Sequence, residues 1–181
     1  AIFISLHLFL FLLVIAYQAQ SSEWTIDRYK TLSFARVSGE VTHGDNLNVW
    51  IRAEDNCEKV YNTFTVYTYE KPGDIKQLLN KNIPIKINGE DITASVQDIS
   101  PFLMGYRVHL SLGSYPIKEY IYFLKEFYDE FQKYEIEIVD GLNFTAAKYF
   151  DIRSNNWKLD KLVQSVLEAN KLCREFSHKK L

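Results

Sequence analysis

A chain of 181 residues with 21 basic and 23 acidic side chains carries a formal charge of −2, a near-balance that leaves no footprint for nucleic acid or for an anionic membrane surface. The length suits a single domain with one hydrophobic core. Lysine far outnumbers arginine, and Asn, Ile, Tyr and Phe are common, as in an AT-rich coding sequence; the 12 Tyr and 12 Phe are therefore read as core rather than as a sugar-stacking surface.

Residues 2–17, IFISLHLFLFLLVIAY, contain no charged group, and each apolar position favours transfer into a membrane core. The run falls short of the about 20 apolar residues that span a bilayer. It is followed by Gln18-Ala19-Gln20-Ser21-Ser22, with small residues suited to cleavage after Ser21. The reading is a signal peptide over residues 1–21, its basic start missing ahead of Ala1, with an uncleaved anchor as the alternative and a buried helix as the third. A single exported domain then occupies 22–176, and 177–181 form a frayed tail.

From Trp24 to Leu112 the pattern is strand: Trp24–Tyr29, Leu32–Glu40, Leu47–Ala53, Tyr61–Tyr69, Ile83–Ile87, Asp91–Gln97 and Tyr106–Leu112. Each is rich in β-branched or aromatic residues and bounded by turn formers. In KINGEDIT, Asn88-Gly89 can both take positive φ in a two-residue type I′ turn, which pairs Ile85 with Ile92 and Ile83 with Ala94. Asp74 is placed to cap a short helix ending at Leu79.

Ile117–Tyr134 divides into two faces at 100° per residue. Tyr120, Phe123, Leu124, Phe127, Tyr128, Phe131 and Tyr134 share one wedge, while Lys118, Glu119, Lys125, Glu126, Asp129, Glu130 and Lys133 take the other side. Ser114 is read as its N-cap, with Pro116 in the first turn. Within the wedge Tyr120, Phe127, Tyr128 and Phe131 are the candidate interaction face. The chain then reads as strand over Glu135–Val139 and Phe144–Ile152, and as a last helix capped by Ser154, Asn155 or Asn156 and running to about Phe176. The expected fold is α+β: a mostly antiparallel sheet of about 7–9 strands, with helices near 116–134 and 155–176 packed on one side.

Two cysteines are present, Cys57 and Cys173. Export implies an oxidising compartment, where an even count suggests pairing. Leu159, Leu162, Val163, Val166 and Cys173 fall on one stripe of the last helix, so Cys173 faces the sheet, and Cys57 lies in the turn Glu54–Lys59 within reach of that helix end. A bridge closing 116 residues is worth on the order of 4–5 kcal/mol in the chain-entropy model. Asn170 is the polar member of the stripe and needs a hydrogen-bond partner if buried.

No metal, nucleophile or phosphate-binding motif stands out, and no cofactor is implied. His43, His109 and His178 are dispersed, without HExxH or a Cys/His cluster. Asn143-Phe144-Thr145 is a glycosylation sequon at Asn143. Two functions stay open: a non-enzymatic domain that binds a protein, an envelope component or a small apolar ligand, and a small hydrolase-like enzyme whose site forms only in the fold. His43, Asp45 and His109 are the candidates for the second. Membrane contact is expected only through the N-terminal segment.

A tryptophan-led first strand (Trp24), a cysteine before a long strand (Cys57), the segment Tyr149-Phe150-Asp151-Ile152-Arg153-Ser154 and a final helix with Cys173 together form a recognisable layout. It resembles small periplasmic proteins of proteobacteria, broadly of the invasion-associated locus B type. The likeness is specific over about Tyr149–Cys173, and the chain lacks the further cysteines and the glycine- or serine-dense turn of that pattern. What the resemblance implies is export and fold; it carries over no functional residue.

Overall fold

The computed structural model describes residues 23–41 and 43–177, so the export or anchor reading of residues 1–21 and the end of the tail lie outside the described residues. Strands β1 (Thr25–Tyr29), β2 (Leu32–Ser38), β3 (Asn46–Arg52) and β4 (Lys59–Thr68) come first. They are followed by β5 (Asn82–Ile87), β6 (Glu90–Phe102), β7 (Gly105–Pro116), helix α1 (Ile117–Phe131) and β8 (Lys133–Ile138). A four-residue helix α2 (Ala146–Tyr149), strand β9 (Ser154–Lys158) and helix α3 (Leu162–Ser177) complete the described chain. All nine strands form one antiparallel sheet in the order β1-β2-β3-β4-β7-β6-β5-β8-β9. The molecule is mostly sheet with two long helices, so the α+β description holds only in part.

The β5–β6 hairpin forms as its sequence dictates. Asn88 and Gly89 both take positive φ, 48° and 89°, and the register pairs Ile85 with Ile92 and Ile83 with Ala94. Period-2 alternation then buries Ile83, Ile85, Ala94 and Val96 on one face.

The sheet curls until its last strand meets the connection between β2 and β3. Glu40 N donates to Asn156 O at 2.8 Å. Asn155 completes the seam: its Oδ1 accepts from Val41 N at 2.9 Å, and its Nδ2 donates to Val41 O and to Asp45 Oδ2. Gly39 permits this approach, because a Cβ there would lie 2.5 Å from Asn155 Cγ. Both long helices pack on the same enclosed cluster: Ile117, Tyr120 and Leu124 from α1, and Leu162, Val166, Ala169 and Cys173 from α3. Cys57 and Cys173 form a disulfide with Cα atoms 5.9 Å apart. Asn170 finds its partner at the same point, donating to Cys57 O at 2.6 Å.

Five local expectations need correction. The segment expected as strand Phe144–Ile152 is instead α2 with flanking loop, and the strand comes later, at β9. Residues 154–158 therefore do not cap the last helix, which starts at Leu162. Helix α1 ends at Phe131, because Gln132 takes a left-handed φ of 56° and frees Tyr134 to join β8. Ser114 is not its N-cap: β7 continues to Pro116 by pairing with β4, and Ile117 N is satisfied by Glu58 O at 2.9 Å. Near Asp74 the chain makes one 3₁₀ turn, Ile75–Leu78, without a side-chain cap.

Candidate functional site

A wide opening among the described residues follows from how β6 and β7 separate. Their ladder runs from Phe102↔Gly105 to Ser95↔Ser111 and stops. Beyond it, Glu90–Ala94 pair with β5 while Gly113–Pro116 pair with β4, so the two strands splay apart. A bulge between Asn62 and Thr63 of β4 marks the divergence. Gly113 sits there with φ 115°, and the Tyr115 hydroxyl folds back to donate to Leu112 O at 2.8 Å.

Helix α1 lies across this gap and leaves a groove of about 610 Å³ beside it. One wall is aromatic: Phe127 contacts Phe123, Phe131 and Tyr134 with ring centroids 5.6, 4.8 and 5.3 Å apart. Tyr115 and Tyr120 stack at 5.8 Å with planes 14° apart. Ile87, Ile92 and Leu112 form the opposing wall. Phe123 is 49 % exposed and Ile92 39 %, so the groove is open to solvent at its mouth. Its volume lies within the about 300–1,000 Å³ typical of small-ligand sites.

Two kinds of polar group line this apolar trough. Asn62 stands at its floor, 5 % exposed, with Oδ1 buried and accepting no hydrogen bond. Glu90, Glu119 and Glu130 are exposed at the rim, and no lysine or arginine lines the groove. Burial pushes the hydroxyls of Tyr120 and Tyr134 well above the usual tyrosine range, the Asn62 side chain opposing the shift on Tyr134. Both phenols are therefore neutral hydrogen-bonding groups at physiological pH.

Of the four residues read as an interaction face, three come together here. Phe127 and Phe131 line the wall, and Tyr120 lines the buried base. Tyr128 does not join them; it faces α3, in a separate cleft of about 300 Å³ with Leu159 and Val163. Asn62, Tyr115 and the rim glutamates were not singled out by sequence reasoning. Only the helical phase of Glu119 and Glu130, flanking the aromatic wedge, hints at a carboxylate edge.

The hydrolase candidates do not meet in this groove. His43 Nε2 lies 3.3 Å from Asp151 Oδ2, with its ring edge-on to Tyr67 and Tyr69. Burial alone would raise the Asp151 carboxyl, but bonds from Thr68, its own backbone and Tyr69 N, together with His43, hold it below the ordinary range. Asp45 is engaged in the seam, receiving Tyr67 N at 2.9 Å and Asn155 Nδ2 at 2.9 Å. Its carboxyl is raised by burial against those bonds. The cavity beside Asp45 and Asn155 is about 10 Å³. His109 stands apart on β7, 3.1 Å from Thr65 Oγ1. Among the described residues no group of three or more His, Cys, Asp and Glu gathers to hold a metal ion, and no helix is long and apolar enough to cross a membrane. Asn143 lies in an exposed turn next to the Gly141–Phe144 bridge. No protein-family model, no curated protein and no solved structure matches this chain.

Proposed function

We propose that the chain is an exported, non-enzymatic binding domain that takes a small apolar ligand into the groove between α1 and the splayed strands. The observation that carries this is the groove itself: an open trough of about 610 Å³ walled by aromatic rings. The Cys57–Cys173 bridge supports export, since such bonds persist in oxidising compartments. An envelope setting, and the kinship with invasion-associated locus B proteins over residues 149–173, belong to the same proposal.

Titration with nile red, a neutral dye that fluoresces in apolar surroundings, tests it. Saturable enhancement by the native protein, weakened roughly tenfold by Phe123→Arg, supports the groove as a ligand site. Absence of saturable enhancement, or equal enhancement by the variant, overturns it.

A further inference from the structure

The groove's polar groups specify more than an apolar occupant. Asn62 Oδ1 is a buried acceptor without a donor, at the floor. A buried acceptor left unpaired is costly, so a ligand that donates to it recovers what the empty protein forgoes. Glu90, Glu119 and Glu130 at the rim are unopposed by any basic residue of the groove lining. They raise the local concentration of cations and repel carboxylates. Between floor and rim run the faces and edges of Phe123, Phe127, Phe131 and Tyr134, which suit a flat ring.

On the reading that this groove is a ligand site, we infer that its occupant is an arylalkylamine whose ring carries a hydroxyl. Desolvation decides which end goes where. A neutral hydroxyl is cheap to bury when it finds an acceptor, whereas an ammonium is costly to strip of water. The ring hydroxyl therefore donates to Asn62 Oδ1 at the floor, the ring lies against the aromatic wall, and the ammonium stays hydrated at the mouth beside the carboxylates. Fatty acids and other anionic amphiphiles of similar size are disfavoured by the same rim.

Displacement of nile red by three compounds tests both arms on the unaltered protein: tyramine, with hydroxyl and ammonium; phenethylamine, with ammonium alone; and phloretate, with hydroxyl and carboxylate. Tyramine is expected to displace the dye at roughly tenfold lower concentration than phenethylamine, the difference one buried hydrogen bond supplies. It should outcompete phloretate by a similar factor, from pairing against repulsion at the rim. Asn62→Leu, which removes the floor acceptor together with the hydrogen bond between its side chain and the Tyr134 hydroxyl, should bring tyramine down to phenethylamine while keeping the preference over phloretate. The double variant Glu119→Gln/Glu130→Gln should do the reverse. If nile red binds but either preference is absent from the unaltered protein, the inference falls and the binding reading stands. Failure of nile red to bind removes both.

Discussion

Asn170 donates a 2.6 Å hydrogen bond to the carbonyl of Cys57, one helical turn before Cys173 closes the disulfide onto the same residue. Covalent and polar links thus converge on the Glu54–Lys59 turn, where Asn56 and Cys57 both hold positive φ. Arg174 Nε in turn donates to Asn170 Oδ1 at 3.1 Å, fixing the amide's orientation. The last helix is tied to the sheet at a point of unusual backbone geometry.

Reduction, or Cys57→Ser with Cys173→Ser, should lower unfolding free energy by about 3–5 kcal/mol, the upper end being the chain-entropy value for a loop of this size. Urea unfolding monitored with and without reductant measures it. Asn170→Leu, with the bridge intact, should cost about 1–3 kcal/mol by removing the amide that donates to Cys57 O. An unchanged midpoint in that variant would mean the hydrogen bond contributes nothing.

Gly39→Ala should destabilise the seam by about 2–4 kcal/mol, since the new methyl collides with a buried side chain that already makes four hydrogen bonds. Shortening the obstacle separates collision from backbone effects: the same change in an Asn155→Ala background should cost much less. Thermal melts of the four proteins form the cycle, and full additivity would rule the collision out.

Burial, opposed by Asp98 and reinforced by Arg107 and Arg36, holds His109 below its ordinary value of 6.5. The unfolded chain therefore takes up its proton first as pH falls. Stability from this group is complete above about 6.5 and declines on acidification until the folded value is reached. His109→Gln should flatten the stability profile in that window, and Asp98→Asn should steepen it. The buried Asp45 acts in the opposite sense at lower pH: its raised value makes stability fall as pH rises through the carboxylate range. An NMR titration that places His109 at or above 6.5 would contradict the first assignment.

How much of this was legible in the sequence depends on how local the cause was. The β5–β6 register followed from two turn residues and strict alternation, and Cys173's direction followed from helical phase; both are properties of a few neighbouring residues. Strand β9 was misread because Ser154-Asn155-Asn156 looks like a helix cap, and only pairing with β8 and the contact of Asn155 with Val41 make it a strand. Aromatic richness likewise disguised α2 as strand, although Phe150 is simply a core residue beside a short helical turn. Ser114 failed as a cap because β4 keeps β7 extended two residues beyond it.

The groove was half legible. Its aromatic wall is written in the phase of α1, which placed Tyr120, Phe127 and Phe131 together. Its existence is not, because it depends on the β6–β7 ladder ending at Ser95 and Ser111 while β6 stays paired with β5 and β7 with β4, a relation between distant segments. Asn62 reads in sequence as one of several polar residues of β4, beside Thr63, Thr65 and Thr68, and only the bulge at Thr63 and the overlying helix turn it into the floor of a site.

Phe123 offers a variant that separates binding from folding. Being half exposed, its replacement by Arg should change stability by no more than about 0.5 kcal/mol. The guanidinium would reach Glu119 one turn earlier and lie across the mouth of the groove. A large loss of stability would show Phe123 to be core rather than wall.

The most direct measurement is the location of bound nile red in two-dimensional NMR spectra of the isotope-labelled domain. The groove account predicts saturable shifts confined to α1, Asn62, the Ile87–Ile92 turn, the Leu112–Tyr115 segment and Tyr134. Shifts centred instead on the exposed apolar tip of the β6–β7 hairpin, where Leu103 is 84 % and Met104 69 % exposed, would contradict it.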